Sequence, residues 1–308
     1  MIKLLEITCQ SRAVCSLSIN VMSCKKMTVS VVSVLFLLAV SLSVDKVSEN
    51  LYVLDMANDS VDDSYEGCRE AMNTSVISNF SEYEMNNTPN FKEAWNRALL
   101  HHVKGELGKN QSTAINLYTR PGDGNNPAMH SVLNLATRKG GQNYTSGHFQ
   151  FYTFHFFLTD AINQLKQSQP GCRTTYRRTN RTFQIDDRNQ TVRFGFFASS
   201  SLVKTLTGFG EKSCFEIYTC LGAELGKYSP MQNEKEVLIP PYEVFNVTAI
   251  RRRIEDEHLW CEVVYELKHA ANQSNLKCHH FTTNPPKCMC KADSSSMVAQ
   301  SVNYTSRI

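Results

Sequence analysis

Two acidic residues in the second half of the chain are separated by a single residue. Glu234 and Glu236 belong to the stretch NEKEVLIPP, in which the run from Val237 to Ile239 predicts a buried strand that ends at two prolines. Alternation along a strand would place both carboxylates on one face, roughly 6 to 7 Å apart. That spacing could hold an electrophilic sugar carbon beside one carboxylate and an incoming nucleophile beside the other. Two like charges so close in a cleft would also raise one pKa, which suits a general base.

Two other stretches in the same half carry side chains that could bind or react. Arg177 lies in Tyr-Arg-Arg at 176–178, and Ser199 begins a run of three serines. Each stretch alone has an ordinary explanation: an arginine on a strand usually faces solvent, serine runs usually mark turns, and Glu-Lys-Glu usually begins an exposed strand. Taken together, with the buried strand behind the glutamates, the three stretches favour a single site.

The elements that must position these residues divide into helices first and sheet second. Apolar residues at helical spacing predict three helices. The first begins at Thr88-Pro89, the second covers 126–138 and ends before Gly140-Gly141, and the third covers 149–167. Short runs rich in β-branched and aromatic residues predict strands near 173–178, 191–198, 214–220, 236–239, 244–250 and 260–267. This order predicts an α+β fold.

At this level of detail the chain resembles a known family. The three stretches, in this order, resemble the Arg-Ser-Glu signature of the vertebrate ecto-mono-ADP-ribosyltransferases, relatives of the clostridial binary toxins. The similarity covers roughly Cys68 to Cys278. It includes AINLYT at 114–119, HFFLTDA at 155–161, VRFG at 192–195, TCLG at 219–222 and KYS at 227–229. Any one of these segments could be core or turn of another α+β protein, and their shared order is what favours the family.

The resemblance implies a role for each signature residue in transferring ADP-ribose from NAD⁺ to arginine side chains. Arg177 matches the residue that holds NAD⁺, and Ser199 matches the residue that orients the catalytic carboxylate. Glu236 matches that carboxylate, which stabilises the oxocarbenium-like transition state as nicotinamide leaves. Glu234 matches the glutamate that engages the acceptor guanidinium, which implies arginine as the acceptor.

The resemblance also implies the wider organisation of the site. Tyr118 and Ser229 match further NAD⁺ contacts, and the fold is expected to be an N-terminal helical part packed on a C-terminal mixed β-sandwich that binds NAD⁺, or the related NADP⁺, as substrate without a metal. One position departs from the family, because Arg178 stands where the family usually has glycine beside the nicotinamide amide. A side chain at 178 that pointed into the site would interfere with NAD⁺.

Eight cysteines follow the first 44 residues, an even number that favours disulfides over a metal site in an oxidising compartment. By the resemblance, Cys172 pairs with Cys220 and Cys68 pairs with Cys278. The remaining four have no assignment from the sequence: Cys214, Cys261, Cys288 and Cys290.

The N-terminal region predicts export. An uncharged apolar run over 28–44 follows Lys25 and Lys26, as in a signal peptide, and a retained signal anchor is the alternative. The formal net charge of +3 is matched by the charges of residues 1–44, so the rest is nearly neutral and nucleic acid is not an expected partner. Glycosylation sequons begin at Asn58, Asn73, Asn79, Asn86, Asn110, Asn143, Asn180, Asn189, Asn246, Asn272 and Asn303.

These features predict a secreted, extracellular glycoprotein with no stable membrane insertion after signal cleavage. We expect a signal and upstream segment over 1–44, a loose N-terminal segment over 45–87, a catalytic domain over 88–285 and a polar tail over 286–308. The expected partners are NAD⁺ and arginine-bearing extracellular proteins. Two other functions stay open: NAD⁺ glycohydrolysis, in which water replaces the guanidinium, and a catalytically weak secreted binding glycoprotein.

Overall fold

The computed structural model describes residues 2–10, 14–22, 51–122, 127–185 and 190–278, with side chains from residue 52 onward. The chain divides into two units, residues 1–52 and 53–308. In the first unit, strands β1 (Ile2–Gln10) and β2 (Val14–Met22) pair antiparallel. The apolar run 28–44, the tail 286–308 and their predicted roles lie outside the described residues.

The second unit begins with a helical part. A short strand, β3 (Leu51–Val53), crosses the division between the units. The helices that follow are α1 (Arg69–Ser75), a π-helical turn (Val76–Phe80), α2 (Ser81–Asn87), α3 (Phe91–Leu99), α4 (Lys109–Thr119), α5 (Met129–Arg138), α6 (Gly141–Thr145) and α7 (Tyr152–Ser168). No helix in the described part of the chain is long and apolar enough to cross a membrane.

The helix α7 is buried along most of its length and begins beside the buried carboxyl group of Glu84. Glu84 accepts hydrogen bonds from the main-chain N–H groups of Tyr152 at 2.6 Å and Thr153 at 3.0 Å. These are two of the N–H groups that a helix leaves without an intrahelical partner. Burial raises the pKa of Glu84 to about 8. The cap fixes the start of α7 at Tyr152, three residues later than the sequence predicts.

The region from 69 to 87 differs from the loose segment expected there. It is helical, and Met72 and Val76 are fully buried in the core beneath it. Asp62, which precedes this region, forms a fully buried ion pair with Arg193 at 2.6 Å. Asp62 also accepts hydrogen bonds from the main chain at Asn275 and Leu276. Asp62 therefore links the start of this unit to Arg193 and to residues 275–276.

The sheet follows the helices and has eight strands of mixed direction. The strands are β4 (Arg173–Thr179), β6 (Thr191–Val192), β7 (Ala198–Ser201), β8 (Ser213–Thr219), β9 (Ala223–Glu224), β10 (Glu236–Ile239), β11 (Glu243–Arg252) and β12 (Val263–Asn272), with β5 (Thr182–Gln184) outside this sheet. Their order across the sheet is β6-β11-β12-β8-β4-β7-β10-β9, and β12 pairs with β8 in parallel while the other neighbours are antiparallel. The α+β prediction is confirmed.

The single strand predicted over 191–198 is wrong, because the chain turns within it. Gly195 adopts a left-handed φ of 66°, and a Cβ built there would lie 2.3 Å from the Cβ of Ala57. Only glycine tolerates both the conformation and the contact. The turn separates β6 from β7, so β7 begins at Ala198 and runs through the serines.

Candidate active site

The three signature stretches meet where strand β7 pairs with β4 on one side and with β10 on the other. Strand β4 pairs with β7 at one position, where Tyr176 lies opposite Ser201. Strand β7 pairs with β10 along its length, with Glu236 also opposite Ser201. Arg177, Ser199 and Glu236 each lie within two residues of this junction or on it. The structure thus brings together the three residues that the sequence identified.

Glu236 is a buried carboxyl group at the start of β10, with 7% of its surface exposed. Burial raises its pKa to about 7, a hydrogen bond from the Ser199 hydroxyl lowers the pKa, the charge of Glu234 raises it and Arg177 lowers it. The raised pKa agrees with the direction expected for paired carboxylates. Its main cause is removal from water rather than the neighbouring charge.

Arg177 lies beside this carboxyl group and has an unused donor. Its Nη1 atom donates to the main-chain carbonyl of Ser199 at 2.6 Å, and its guanidinium lies 5.9 Å from the centre of the Phe196 ring. Its Nε atom is buried and has no hydrogen-bond partner among the described residues. A buried donor without an acceptor is costly, so this position suits an oxygen atom of a bound ligand.

Glu234 does not share a strand with Glu236, and the alternation expected from the sequence is wrong. It ends a 3-10 turn, Gln232–Glu234, and Lys235 then adopts a left-handed φ of 43° before β10 begins. Ser201 donates to the main-chain carbonyl of Glu234, and Leu202 N–H donates to that of Lys235 at 3.1 Å. A turn, rather than a strand, therefore carries the half-buried Glu234 side chain.

A cavity of about 200 Å³ opens beside that turn and is lined by residues 230–234. Partial burial raises the pKa of Glu234. The cavity places a carboxylate where a small cationic group could enter from solvent.

Tyr118 lies on α4 and contacts Phe197, the residue just before the serine strand β7. Its hydroxyl donates to the carbonyl of Phe197 at 2.6 Å, and it accepts from the side-chain amide of Asn134 at 2.9 Å. The Ser199 hydroxyl is within hydrogen-bonding reach of Tyr118 as well as of Glu236. Burial raises the pKa of Tyr118 to about 12, so the phenol is neutral.

Ser229 lies on the segment between β9 and the glutamate turn. It is buried, and its hydroxyl accepts from the N–H of Met231 at 3.1 Å. The segment is tied to β10 because Leu225 N–H donates to the carbonyl of Glu236 at 2.9 Å. Ser229 therefore helps to shape the turn that carries Glu234, and its predicted contact with NAD⁺ stays a prediction.

The Arg178 side chain points away from the site. Its Nε donates to the carbonyl of Lys204 at 2.9 Å, its Nη1 donates to that of Trp260 at 3.3 Å, and its guanidinium lies 4.6 Å from the centre of the Trp260 ring. Only 7% of the side chain is exposed. The arginine that replaces the family's usual glycine thus packs elsewhere.

Two residues of α5 that the sequence did not identify also reach this site. His130 lies with its ring centre 5.8 Å from that of Tyr118, and burial lowers its pKa. Asn134 contacts Tyr118 and the main chain of Phe197. The two are four residues apart and so share one face of a helix. In the sequence, the feature that could have identified them is this pair of polar residues four positions apart on a helix with an apolar face.

Disulfides fasten the strands around the site. Cys172 pairs with Cys220 and Cys68 pairs with Cys278, so both pairings implied by the resemblance are confirmed. A third disulfide joins Cys214 to Cys261, next to the Arg178 contacts. Cys288 and Cys290 lie outside the described residues.

The family model and the similar proteins that match this chain all point to one family, the ADP-ribosyltransferases. The family model described as NAD:arginine ADP-ribosyltransferase matches residues 54–262. The chain is 39% identical over 211 residues to mouse T-cell ecto-ADP-ribosyltransferase 1, covering 63% of this chain and 68% of that protein. It is 34% identical over 207 residues to chicken NAD(P)(+)--arginine ADP-ribosyltransferase 1, covering 63% of this chain and 64% of that protein. The chain thus matches a little under two thirds of the length of the chicken relative.

Solved structures agree with this assignment. The crystal structure of the eukaryotic mono-ADP-ribosyltransferase ART2.2 is 29% identical, has a TM-score of 0.60, and is matched over 74% of this chain and 98% of its own. A mutant of that enzyme in complex with NAD has the same coverage and TM-score at 28% identity. The chain belongs to the NAD:arginine ADP-ribosyltransferase family.

Proposed function

We propose that this protein transfers ADP-ribose from NAD⁺ to arginine side chains of other proteins and releases nicotinamide. The observation that carries the proposal is Glu236: a buried carboxyl group, hydrogen-bonded by Ser199 and close to Arg177, where β4, β7 and β10 meet. A buried carboxylate of this kind stabilises positive charge that develops on a ribose carbon as the bond to nicotinamide breaks.

Arg177 is assigned to binding the phosphate and ribose portion of NAD⁺. One of its nitrogens is spent on Ser199, and the unpartnered Nε could donate to an oxygen of the ligand. An arginine suits phosphate oxygens because its planar group offers several donors in fixed directions. Tyr118 is expected to contact the same substrate from α4, and Ser229 is expected to contact it from the turn region.

Glu236 must be ionised to stabilise positive charge. With a pKa of about 7, it is half protonated near neutral pH. We therefore expect nicotinamide release to rise with pH through about 7 and then level off, because the protonated carboxyl group cannot supply the charge. Initial rates measured from about pH 5 to pH 9 will test this.

Glu234 is assigned to selecting the acceptor. It lies on its own turn beside a cavity, so it can orient a guanidinium and accept its proton without taking part in bond breaking at the ribose. In a Glu234→Gln protein, we expect labelling of arginine-rich acceptors by NAD⁺ to fall by about 10²-fold, while nicotinamide release persists. Glu224→Gln, a charge removal on the neighbouring strand β9, is the matched control and leaves labelling unchanged.

NAD⁺ glycohydrolysis is the alternative activity of the same residues. Because Glu234 is separate from β10, we infer that transfer to arginine and hydrolysis by water share one step, in which the bond to nicotinamide breaks. The acceptor, arginine or water, is then chosen after that step. Full labelling by Glu234→Gln would show that Glu234 does not select the acceptor. Nicotinamide release without any labelling in the unmodified protein would favour the glycohydrolase.

A catalytically weak binding glycoprotein is less well supported. That alternative rested on interference by Arg178, whose side chain is held against Trp260 instead. Purified protein incubated with labelled NAD⁺ and an arginine-rich acceptor, beside Glu236→Ala, decides the point. Absence of both products in the unmodified protein would favour the binding function.

We further propose that the protein works outside the cell as a secreted glycoprotein and modifies extracellular proteins. Most of the sequon asparagines in the described residues are exposed and could carry a glycan: Asn58, Asn79, Asn86, Asn143, Asn180, Asn246 and Asn272. Protein recovered from the medium of expressing cells should shift to lower mass after enzymatic removal of N-glycans. Retention in the membrane fraction would favour the signal-anchor alternative.

A further inference from the structure

The loop between α3 and α4 contacts the segment that leads into the glutamate turn. The main-chain N–H of Leu107 donates to the hydroxyl of Tyr228 at 3.2 Å, and both residues are buried. The ammonium group of Lys227 donates to the carbonyl of Lys104 at 3.2 Å and lies 5.4 Å from the centre of the Tyr228 ring. Two neighbouring side chains of the segment are therefore held by one short loop, residues 103–108, which we call the brace.

Gly105 lies against both of these contacts and leaves no room for a side chain. A Cβ built at this position would overlap the hydroxyl oxygen of Tyr228 and would lie 2.6 Å from Nζ of Lys227. The ammonium group ends a flexible side chain and can move aside, whereas Tyr228 is packed in the hydrophobic core. A methyl group at position 105 would therefore push Tyr228, and with it the main chain of its segment.

The brace is itself fixed to α4. The N–H of Val103 donates to the hydroxyl of Ser112 at 2.7 Å, and Ser112 is fully buried on that helix. The same helix carries Tyr118, which donates to the carbonyl of Phe197 just before β7. The brace therefore holds the segment relative to a helix that also contacts the serine strand.

Local hydrogen bonds connect Tyr228 to the glutamate turn. Ser229 follows Tyr228 directly, and its hydroxyl accepts from the N–H of Met231 at 3.1 Å. The carbonyl of Met231 accepts from the N–H of Glu234 at 3.0 Å. Glu236 is held in another way, because its strand β10 pairs with β7 and with β9. The brace is thus connected more directly to Glu234 than to the buried carboxyl group.

We propose that the brace is a positioning element for the acceptor: through Tyr228 it holds the turn that presents Glu234, and it thereby favours transfer to arginine over hydrolysis by water. This inference rests on the proposed function, because it takes Glu234 as the residue that selects the acceptor. Gly105 and Tyr228 are positioning residues that act only through that turn.

The first test measures the ratio of ADP-ribose transferred to polyarginine to nicotinamide released from NAD⁺. In Gly105→Ala the ratio should fall by about 10-fold, because a displaced Glu234 no longer aligns the guanidinium, while kcat/KM for nicotinamide release without acceptor stays within about 3-fold. In Tyr228→Phe, which removes only the partner of the Leu107 N–H, the ratio should fall by about 3-fold.

Two control variants match these changes. Gly208→Ala adds a Cβ that meets nothing within 4 Å, and Tyr83→Phe removes the hydroxyl of an exposed tyrosine on α2. Both should leave the ratio unchanged. A general loss of structure would instead lower transfer and nicotinamide release together.

The double variant distinguishes the steric contact from unrelated damage. Tyr228→Phe removes the oxygen atom that a Cβ at position 105 would overlap. Adding Tyr228→Phe to Gly105→Ala should therefore raise the ratio to that of Tyr228→Phe alone. Independent effects that multiply in the double variant would overturn the proposal.

Hydrogen exchange measured by mass spectrometry gives a readout that does not depend on activity. In Gly105→Ala the amides of residues 229–235 should exchange several-fold faster than in the unmodified protein, while those of 237–239 in β10 should not change. If Gly105→Ala does not fold, Tyr228→Phe serves for both measurements.

Unchanged exchange over 229–235 would overturn the proposal, and so would an unchanged ratio. A higher KM for NAD⁺ with the ratio unmoved would also overturn it, because the brace would then act on NAD⁺ binding. Nicotinamide release without labelling by the unmodified protein would refute arginine transfer and this inference with it. Labelling by the unmodified protein, with the same ratio in Gly105→Ala, would refute this inference alone.

Discussion

The Nη1 atom of Arg177 donates a hydrogen bond to the main-chain carbonyl of Ser199 at 2.6 Å. This contact joins β4 to β7, which otherwise pair at the single position of Tyr176 and Ser201. The side chain assigned to NAD⁺ therefore also holds the strand that carries Ser199. Binding and catalytic groups at this junction are consequently expected to respond together to mutation.

Replacing Glu236 should separate stability from activity. The pKa of Glu236 in the folded protein, about 7, lies above the ordinary value of 4.5, so folding favours the protonated carboxyl group. The unmodified protein therefore loses stability relative to Glu236→Gln as pH rises between these values. At about pH 8 the variant should be more stable by roughly 1–3 kcal/mol, with its nicotinamide release reduced by about 10²-fold or more.

Urea unfolding at about pH 4 and pH 8 measures the difference in stability. The difference should vanish at the lower pH, because Glu236 is then protonated in both the folded and the unfolded protein. Equal stability at the higher pH would mean that Glu236 is ionised in the fold without cost.

The two adjacent arginines offer a matched pair of substitutions. Arg177→Lys should raise the KM for NAD⁺ by about 10-fold or more, since lysine loses the fixed donor directions at Ser199 and the ligand. Arg178→Lys should leave KM within about 3-fold but destabilise the fold by roughly 1–2 kcal/mol, since the contacts with Lys204 and Trp260 weaken. Steady-state kinetics and thermal unfolding of both variants give the comparison. Similar KM values for the two would contradict it.

The disulfide between Cys214 and Cys261 should stabilise the residues that pack around the Arg178 side chain. The two cysteines are 47 residues apart in sequence, and Arg178 Nη1 lies 3.7 Å from the Cys261 sulfur. Replacing both by alanine should lower the free energy of unfolding by about 2–4 kcal/mol in the loop-closure picture. The fluorescence of Trp260 should also change. An unaltered unfolding midpoint would show that the surrounding sheet, and not this bond, sets the geometry.

The buried pair of Asp62 and Arg193 should be sensitive to loss of one partner. Both side chains are fully buried, so Asp62→Ala leaves an uncompensated guanidinium and should cost about 3–5 kcal/mol. Asp59→Ala, an exposed carboxylate three residues earlier, is the control and should cost little. Chemical denaturation of the two variants side by side distinguishes the outcomes.

The sequence predicted the signature residues, and it predicted buried strands where the local pattern of apolar residues matches how the strand packs in the fold. The run after Glu236 is apolar on both faces and ends at prolines, and β10 has the predicted bounds. The turn that carries Glu234 could not be predicted, because nothing in Asn-Glu-Lys-Glu reveals that Lys235 is left-handed. The Ser201 hydroxyl and the Leu202 N–H fix that turn by donating to its carbonyls, and both lie at the end of a strand more than thirty residues away.

Helix α4 was missed for a different reason. Its buried positions include Ser112, Thr113 and Asn116, so its core-facing side does not stand out by hydrophobicity. Polar residues can be buried there because they hydrogen-bond locally, as when Thr113 donates to the carbonyl of Lys109 at 2.8 Å. Sequence periodicity detects apolar stripes, and it does not detect polar groups that find partners only in the fold.

The disulfide between Cys68 and Cys278 has a sequence separation of 210 and so makes residues 68–278 a covalently closed ring. A protease that cuts one surface loop between these cysteines opens the ring but does not divide the molecule. Two cuts, or one cut together with a reductant, are needed to release a fragment. An enzyme exposed to extracellular proteases would thereby keep Arg177, Ser199 and Glu236 on one covalent body after a first cleavage.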